Sequence, residues 1–245
     1  MKTLLSISVC VVLCVIGSTE AKGIPSYITL CKSKDPELEK CILRAVDAIQ
    51  PHLKSGIPEL GIPSLDPLTI PFAGLEAGPT FNASFRDIEV YYANEFKIDK
   101  FKLDLDKVDL DIGITFPKLR IKSKYAIDGK ILFLELKGSG PADGNFTNVH
   151  AEVKGNGRRI EKNGKTHLEI ETINVKGDYG KPIFLFADLF ENQEVNDQTN
   201  KIINDNIVEI IKELEPVVNK VVIEIVQSLV SRVFVKYSFD ELFPK

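Results

Sequence analysis

The sequence predicts an α+β protein in which a long antiparallel sheet curls around one long helix near the C-terminus. Two observations carry this prediction. From about 81 to 176 apolar residues recur at every second position, as Phe101, Leu103 and Leu105 do against Lys102, Asp104 and Asp106. A period of two with one wet face is the mark of an antiparallel sheet. From about 195 to 234 the period becomes helical, and no glycine interrupts the run. Its apolar stripe is broad, so more than one side of that helix must be covered. A sheet with one dry face and a helix with several can satisfy each other only by wrapping. The wrap can be filled by side chains or can leave an apolar tunnel, and periodicity leaves both open.

The elements follow in chain order. Met1 and Lys2 precede an apolar run from Leu4 to Ile16, too short for a bilayer span, with small residues Gly17, Ser18, Thr19 and Ala21 after it. This reads as a secretory signal peptide over residues 1–21, cut after Ala21 or, alternatively, after Gly17. Residues 22–245 then form a single domain. Cys10 and Cys14 leave with the leader, so Cys31 and Cys41 remain. In a chain bound for an oxidising compartment they read as one local disulfide, with two free buried thiols as the alternative. Asp35-Pro36 marks a helix start, and Leu38, Cys41, Ile42, Ala45 and Ile49 give that helix its apolar face, which closes near Pro51 and Gly56. The proline-dense stretch from Gly56 to Pro71 must run extended or turned. Within the sheet, the alternation slips by one between Leu105 and Val108, a bulge or a bend between strands. Asp128-Gly129 and Asn163-Gly164 are hairpin-turn signals. Gly138-Ser139-Gly140 reads as a turn and Gly155-Asn156-Gly157 as a hairpin tip. In the long helix, Pro216 is expected to kink or split the run.

Composition narrows the function. The net charge is −4 with no long basic run, which disfavours nucleic acid and anionic membranes as partners. His52, His150 and His167 have no metal-ligand spacing and no evident nucleophile nearby, so neither a metal nor catalysis is expected. Asp104, Asp106, Asp109 and Asp111 alternate with apolar residues and read as a solvated strand face rather than a calcium loop. Asn82-Ala83-Ser84 and Asn145-Phe146-Thr147 are glycan acceptors at Asn82 and Asn145.

Several longer patterns resemble the takeout and juvenile-hormone-binding family of insect proteins. They begin with paired Cys31 and Cys41, then Gly56-Ile57-Pro58-Glu59-Leu60 and Leu65-Asp66-Pro67-Leu68. Tyr125-Ala126-Ile127-Asp128-Gly129 follows. The most specific stretch runs from Asp188-Leu189-Phe190 through Ile203-Asn204-Asp205 and Glu213-Leu214-Glu215-Pro216 to Asp240-Glu241-Leu242-Phe243-Pro244. The resemblance implies a highly curved antiparallel sheet wrapped on a long helix around a hydrophobic cavity. It also implies extracellular carriage of a small hydrophobic ligand, such as a terpenoid, fatty acid or other lipid, without a cofactor and without enzymatic activity. The absence of cysteines for a second disulfide in the mature chain favours the takeout branch. Tyr237-Ser238-Phe239 stands where the family often has proline and tyrosine, which puts that turn in question.

Under this reading the cavity is lined from Phe85, Tyr92, Phe116, Tyr125, Phe133, Phe184, Phe186, Ile207, Ile211 and Val218, each of which could equally be simple core. A monomer is expected. The competing readings are a lipid-transfer protein that docks on membranes and an interaction protein with a filled core.

Overall fold

In the computed structural model the described residues are 23–77 and 80–245, so the leader expected over 1–21 lies outside them. The chain opens with α1 (Leu38–Leu53), whose first turn is steadied by the Asp35 carboxylate accepting from the Glu37 amide at 2.8 Å. Cys31 and Cys41 form a disulfide that ties the preceding segment to this helix. A 3₁₀ turn, Pro58–Leu60, follows. Leu53, Ile57, Leu60 and Tyr237 pack into a small apolar cluster that joins this region to the C-terminus.

Among the described residues seven antiparallel strands make one sheet: β1 (Leu68–Ala77), β2 (Phe81–Tyr91), β3 (Lys97–Asp104), β4 (Asp109–Ile131), β5 (Leu134–Lys162), β6 (Lys165–Asp178) and β7 (Ile183–Phe186). The path is β1-β2-β4-β5-β6, with β3 on β4 and β7 on β5. β4 and β5 have 23 and 29 residues, so at ~3.3 Å per residue they run about 75 and 95 Å. Strands of this length cannot stay flat, because right-handed twist accumulates along them. Local irregularities add bend. The β2–β4 register shifts between Arg86 and Glu89, where Asp87 has φ of 51°, and the β5–β6 register shifts between Asn156 and Gly157.

The C-terminal helices lie in the resulting trough. α2 (Gln193–Asp205) and α3 (Ile207–Lys236) are separated at Asn206, whose φ and ψ of −112° and 19° are not helical. α3 packs on β6 and on β1, the two ends of the strand path, so one helix spans the mouth of the unclosed sheet. The core between α2–α3 and the sheet holds Phe81, Tyr125, Ile127, Phe186, Ile203 and Ile207. Each such buried side chain contributes about 1.5–3 kcal/mol.

The structure departs from four sequence expectations. Asp128-Gly129 is inside β4, and the turn between β4 and β5 is Leu132-Phe133. Gly138-Ser139-Gly140 is strand, paired with Ile127, Ala126 and Tyr125. Gly155-Asn156-Gly157 is strand interior carrying a register shift, not a tip. The long helix divides at Asn206, ten residues before Pro216, and is not split at that proline, which lies inside α3. By contrast Asn163-Gly164 is the β5–β6 turn, with Asn163 at φ of 54° and Gly164 at 73°. The slip near Leu105 is the turn between β3 and β4.

The edge of β7 is completed in an unusual way. Asn196, Asn200 and Asn204 stand four residues apart on α2 and face its backbone. The Asn204 carboxamide accepts from the Phe184 amide at 2.8 Å and donates to the Phe184 carbonyl at 2.7 Å. The Asn200 carboxamide does the same for Phe186 at 2.7 and 2.8 Å, and Asn196 accepts from the Leu189 amide at 2.9 Å. Side-chain amides on a helix thus replace a neighbouring strand and satisfy a buried strand edge.

The C-terminal segment is held by α4 (Phe239–Leu242) and its capping box. The Glu241 carboxylate accepts from the Ser238 hydroxyl at 2.6 Å, from the Ser238 amide at 2.8 Å and from the Lys165 ammonium at 3.0 Å. The Ser238 bonds first, then the lysine, hold its carboxyl at about 2 against an ordinary 4.5. A depressed acid stabilises the fold above its unfolded value and loses that effect as pH falls through the folded one. The urea midpoint of the native protein should therefore exceed that of Glu241→Gln at pH 6, and the gap should close between pH 4.5 and 2. A constant gap across that window would show that this cap does not hold the segment.

Candidate functional site

Sheet and helix do not fill the space between them. A cavity of about 150 Å³ lies between the curved face of β1, β2, β4 and β5, the short β7, and the α2–α3 helices. Its sheet wall is formed by Leu75, Phe81, Ala83, Phe85, Ile127, Ile131, Leu136 and Phe146. Phe184 and Phe186 of β7 close one side, stacked with ring centroids 5.7 Å apart. Ile203 of α2 and Ile207, Ile210, Ile211, Leu214 and Val218 of α3 close the other, at the helical spacing that keeps one face inward. Tyr179 supplies the single hydroxyl among these residues. It donates to the Asn219 side-chain oxygen at 2.7 Å, and burial, with Glu215 a lesser cause, pushes it up to about 12. Nothing charged lines this space, so the transfer of apolar surface into it is favourable by ~25 cal/mol per Å².

A second, larger space adjoins the first. A groove of about 1070 Å³ runs between β1–β2 and the later turns of α3. Ala83, only 1% exposed, lines both spaces, and the α3 residues lining them follow one another from Ile207 to Arg232. The groove floor carries Val217, Val221, Ile225 and Leu229, one turn apart, while Lys220, Glu224 and Arg232 stand at its rim.

Of the ten residues the sequence put forward, the structure gathers six around the cavity: Phe85, Phe184, Phe186, Ile207, Ile211 and Val218. Tyr125 is buried behind it, its ring edge-on to Phe186 at 5.1 Å and its hydroxyl donating to the Ala187 carbonyl at 2.6 Å. Phe116 lies elsewhere, against Phe96, and Tyr92 sits at φ of 66° beneath the Lys118 ammonium. Phe133 occupies the β4–β5 turn and is 63% exposed, because the turn falls there and not at Asp128-Gly129. Sequence reasoning missed Leu75, Phe81, Ala83, Ile127, Ile131, Leu136, Phe146, Tyr179, Ile203, Ile210 and Leu214. The β2 and β4 members carried a legible signal, since Phe81, Ala83 and Phe85 alternate, as do Tyr125 and Ile127.

The other candidate chemistries are dispersed. His52 stacks on Tyr27, His150 faces Thr115 and Asp99, and the His167 ring meets the Phe234 carbonyl at 3.1 Å. Asp111 pairs with Lys100, and Asp104 accepts from the backbone of its own turn. Among the described residues no three His, Cys, Asp or Glu side chains are grouped to hold a metal ion. No helix among them is long and apolar enough to cross a membrane.

A helix lying in an unclosed, curved antiparallel sheet, with an apolar chamber between them, defines an α+β class of sheet-wrapped helix. The chain belongs to the haemolymph juvenile hormone binding protein (JHBP) family, whose model matches residues 9–244. It is 26% identical over 241 residues to the circadian clock-controlled protein daywake of Drosophila melanogaster, covering 92% of this chain and 90% of that one. The daywake protein of Drosophila yakuba is 24% identical over 239 residues, covering 91% and 89%. The fold is that of Takeout 1 of Epiphyas postvittana, with a TM-score of 0.75 at 19% identity, covering 88% of this chain and 99% of that one. The family is one of hydrophobic-ligand binders.

Proposed function

We propose that this protein is a secreted, non-enzymatic carrier that holds one small hydrophobic molecule between its sheet and α3. The chamber lined by Phe85, Phe184, Phe186, Ile207, Ile211 and Val218 carries this reading, because all its lining side chains are apolar apart from a tyrosine whose hydroxyl is already bonded. A cavity of this size takes a single ring or a short branched chain. A longer ligand, whether terpenoid, fatty acid or other lipid, therefore extends along α3 into the adjoining groove. The signal peptide over 1–21, a single domain over 22–245 and glycans at Asn82 and Asn145 complete the extracellular reading. Both asparagines are exposed on strands. Protein made in insect cells should lose mass on enzymatic deglycosylation, and an unchanged mass would mean that neither asparagine carries a glycan.

Titration with an environment-sensitive fluorescent fatty acid tests the carrier reading. Saturable enhancement at one probe per chain, reversed by an unlabelled terpenoid or fatty acid, is the expected result. Enhancement that fails to saturate, or none, would favour a core that merely packs imperfectly.

A further inference from the structure

The β4–β5 hairpin breaks a local rule without a return inside the fold. Its two-residue turn is Leu132-Phe133, and Leu132 holds φ of 53°. A two-residue hairpin turn with positive φ at its first position favours glycine there, because a side chain at positive φ is strained. Here two large apolar residues take the positions and are 40% and 63% exposed, and neither joins a packed core cluster. Departures of this kind gather at functional positions.

The surroundings say what the tip is for. It is held firmly: the Lys130 amide donates to the Thr80 carbonyl at 3.0 Å, bracing this hairpin against the residue that leads into β2. Gly129, at φ of 137°, permits the approach, since a Cβ there would stand 1.9 Å from the Thr80 oxygen. Directly behind the tip, Ile131 and Leu136 line the chamber. Its flanks carry Lys130 and Lys137 against Asp128 and Glu135, so their charges cancel.

We infer that Leu132 and Phe133 form a docking tip that inserts into the interfacial region of a zwitterionic lipid surface, setting the end of the chamber beside the phase that supplies its ligand. The inference rests on the carrier reading. A narrow convex apolar tip with lysine stems beside it suits a bilayer interface, where apolar side chains enter and ammonium groups remain in water. The balanced flanks make anionic lipid unnecessary and docking insensitive to salt.

The protein contains no tryptophan, so Phe133→Trp supplies a unique reporter. On addition of phosphatidylcholine vesicles its emission should shift to the blue and be quenched by brominated acyl chains, while Asn163→Trp at the β5–β6 turn should not respond. The double variant Leu132→Gly/Phe133→Asn installs the preferred turn pair and should keep the fold and the affinity for a fluorescent fatty acid added from solution. Its rate of uptake from vesicles should fall about tenfold or more. An unshifted emission from the Phe133→Trp variant, a shift produced by raising protein concentration alone, or an unchanged uptake rate in the double variant would each overturn the docking tip. Failure of the carrier reading looks different, since neither protein would then take up the probe from any source.

Discussion

Replacing Asn200 with alanine should destabilise the protein by about 2–4 kcal/mol, among the largest effects of any single polar substitution in it. The Asn200 carboxamide is the principal partner of both the amide and the carbonyl of Phe186, and Asn200 and Phe186 are 5% and 8% exposed. Alanine leaves the amide with no partner and the carbonyl with only a long contact to Asn196 at 3.4 Å. Each orphaned buried group costs about 1–3 kcal/mol, and water has little access to replace the lost bonds. Asn204→Ala should cost less, because Asn204 and Phe184 are half-buried. Equilibrium urea denaturation of the two variants gives the comparison. A loss below about 0.5 kcal/mol for Asn200→Ala would mean that β7 does not depend on the helix for its hydrogen bonds.

The second large effect is expected from Val218→Asp. Val218 lies one turn beyond Leu214 on the chamber wall, where the neighbouring hydroxyl of Tyr179 is already committed to Asn219. A carboxylate facing this space has no partner there, so its burial costs several kcal/mol or it draws water into the chamber. Either outcome removes the dry surface on which the proposed binding rests, and affinity for an apolar probe should fall at least about tenfold. Val218→Thr, which keeps the shape, should lose far less. Thermal denaturation and probe titration read the two effects separately. Unchanged stability and unchanged binding in Val218→Asp would place that helix face outside the chamber.

The fold was legible in the sequence because its two main periods are long and uninterrupted, giving a sheet over the middle and a helix after it. Its punctuation was less legible. Glycine pairs mark turns when φ must be positive, but they also mark places where another backbone comes close. Gly140 is of the second kind: a Cβ there would lie 2.4 Å from the Ala187 oxygen, so the glycine makes room for the segment entering α2. Gly129 likewise admits the Thr80 carbonyl, and the true turn, a few residues later, carries no turn residue at all. The helix divides at Asn206 rather than Pro216, because Asn206 bonds the preceding turn through its own side chain to the Ile202 carbonyl at 2.8 Å. The asparagine ladder had a visible trace, three poor helix formers at intervals of four. Its purpose depends on a four-residue strand that no periodicity announces.

The chamber was half legible for a related reason. Helical spacing located Ile207, Ile211 and Val218, and the aromatic pair Phe184 and Phe186 stood out by type. Small residues such as Ala83 carry no such signal, yet among the described residues it is the one shared by chamber and groove. Phe133 was misplaced because a large aromatic residue beside a sheet is read as core, whereas here it occupies an exposed turn.

Native mass spectrometry of the purified protein, followed by organic extraction, tests the central claim most directly. The predicted result is a mass excess of one hydrophobic molecule per chain, which is released on extraction and is absent from Val218→Asp. A protein that is empty as purified and takes up neither fatty acid nor terpenoid would contradict it, leaving the fold of a carrier around a core that carries nothing.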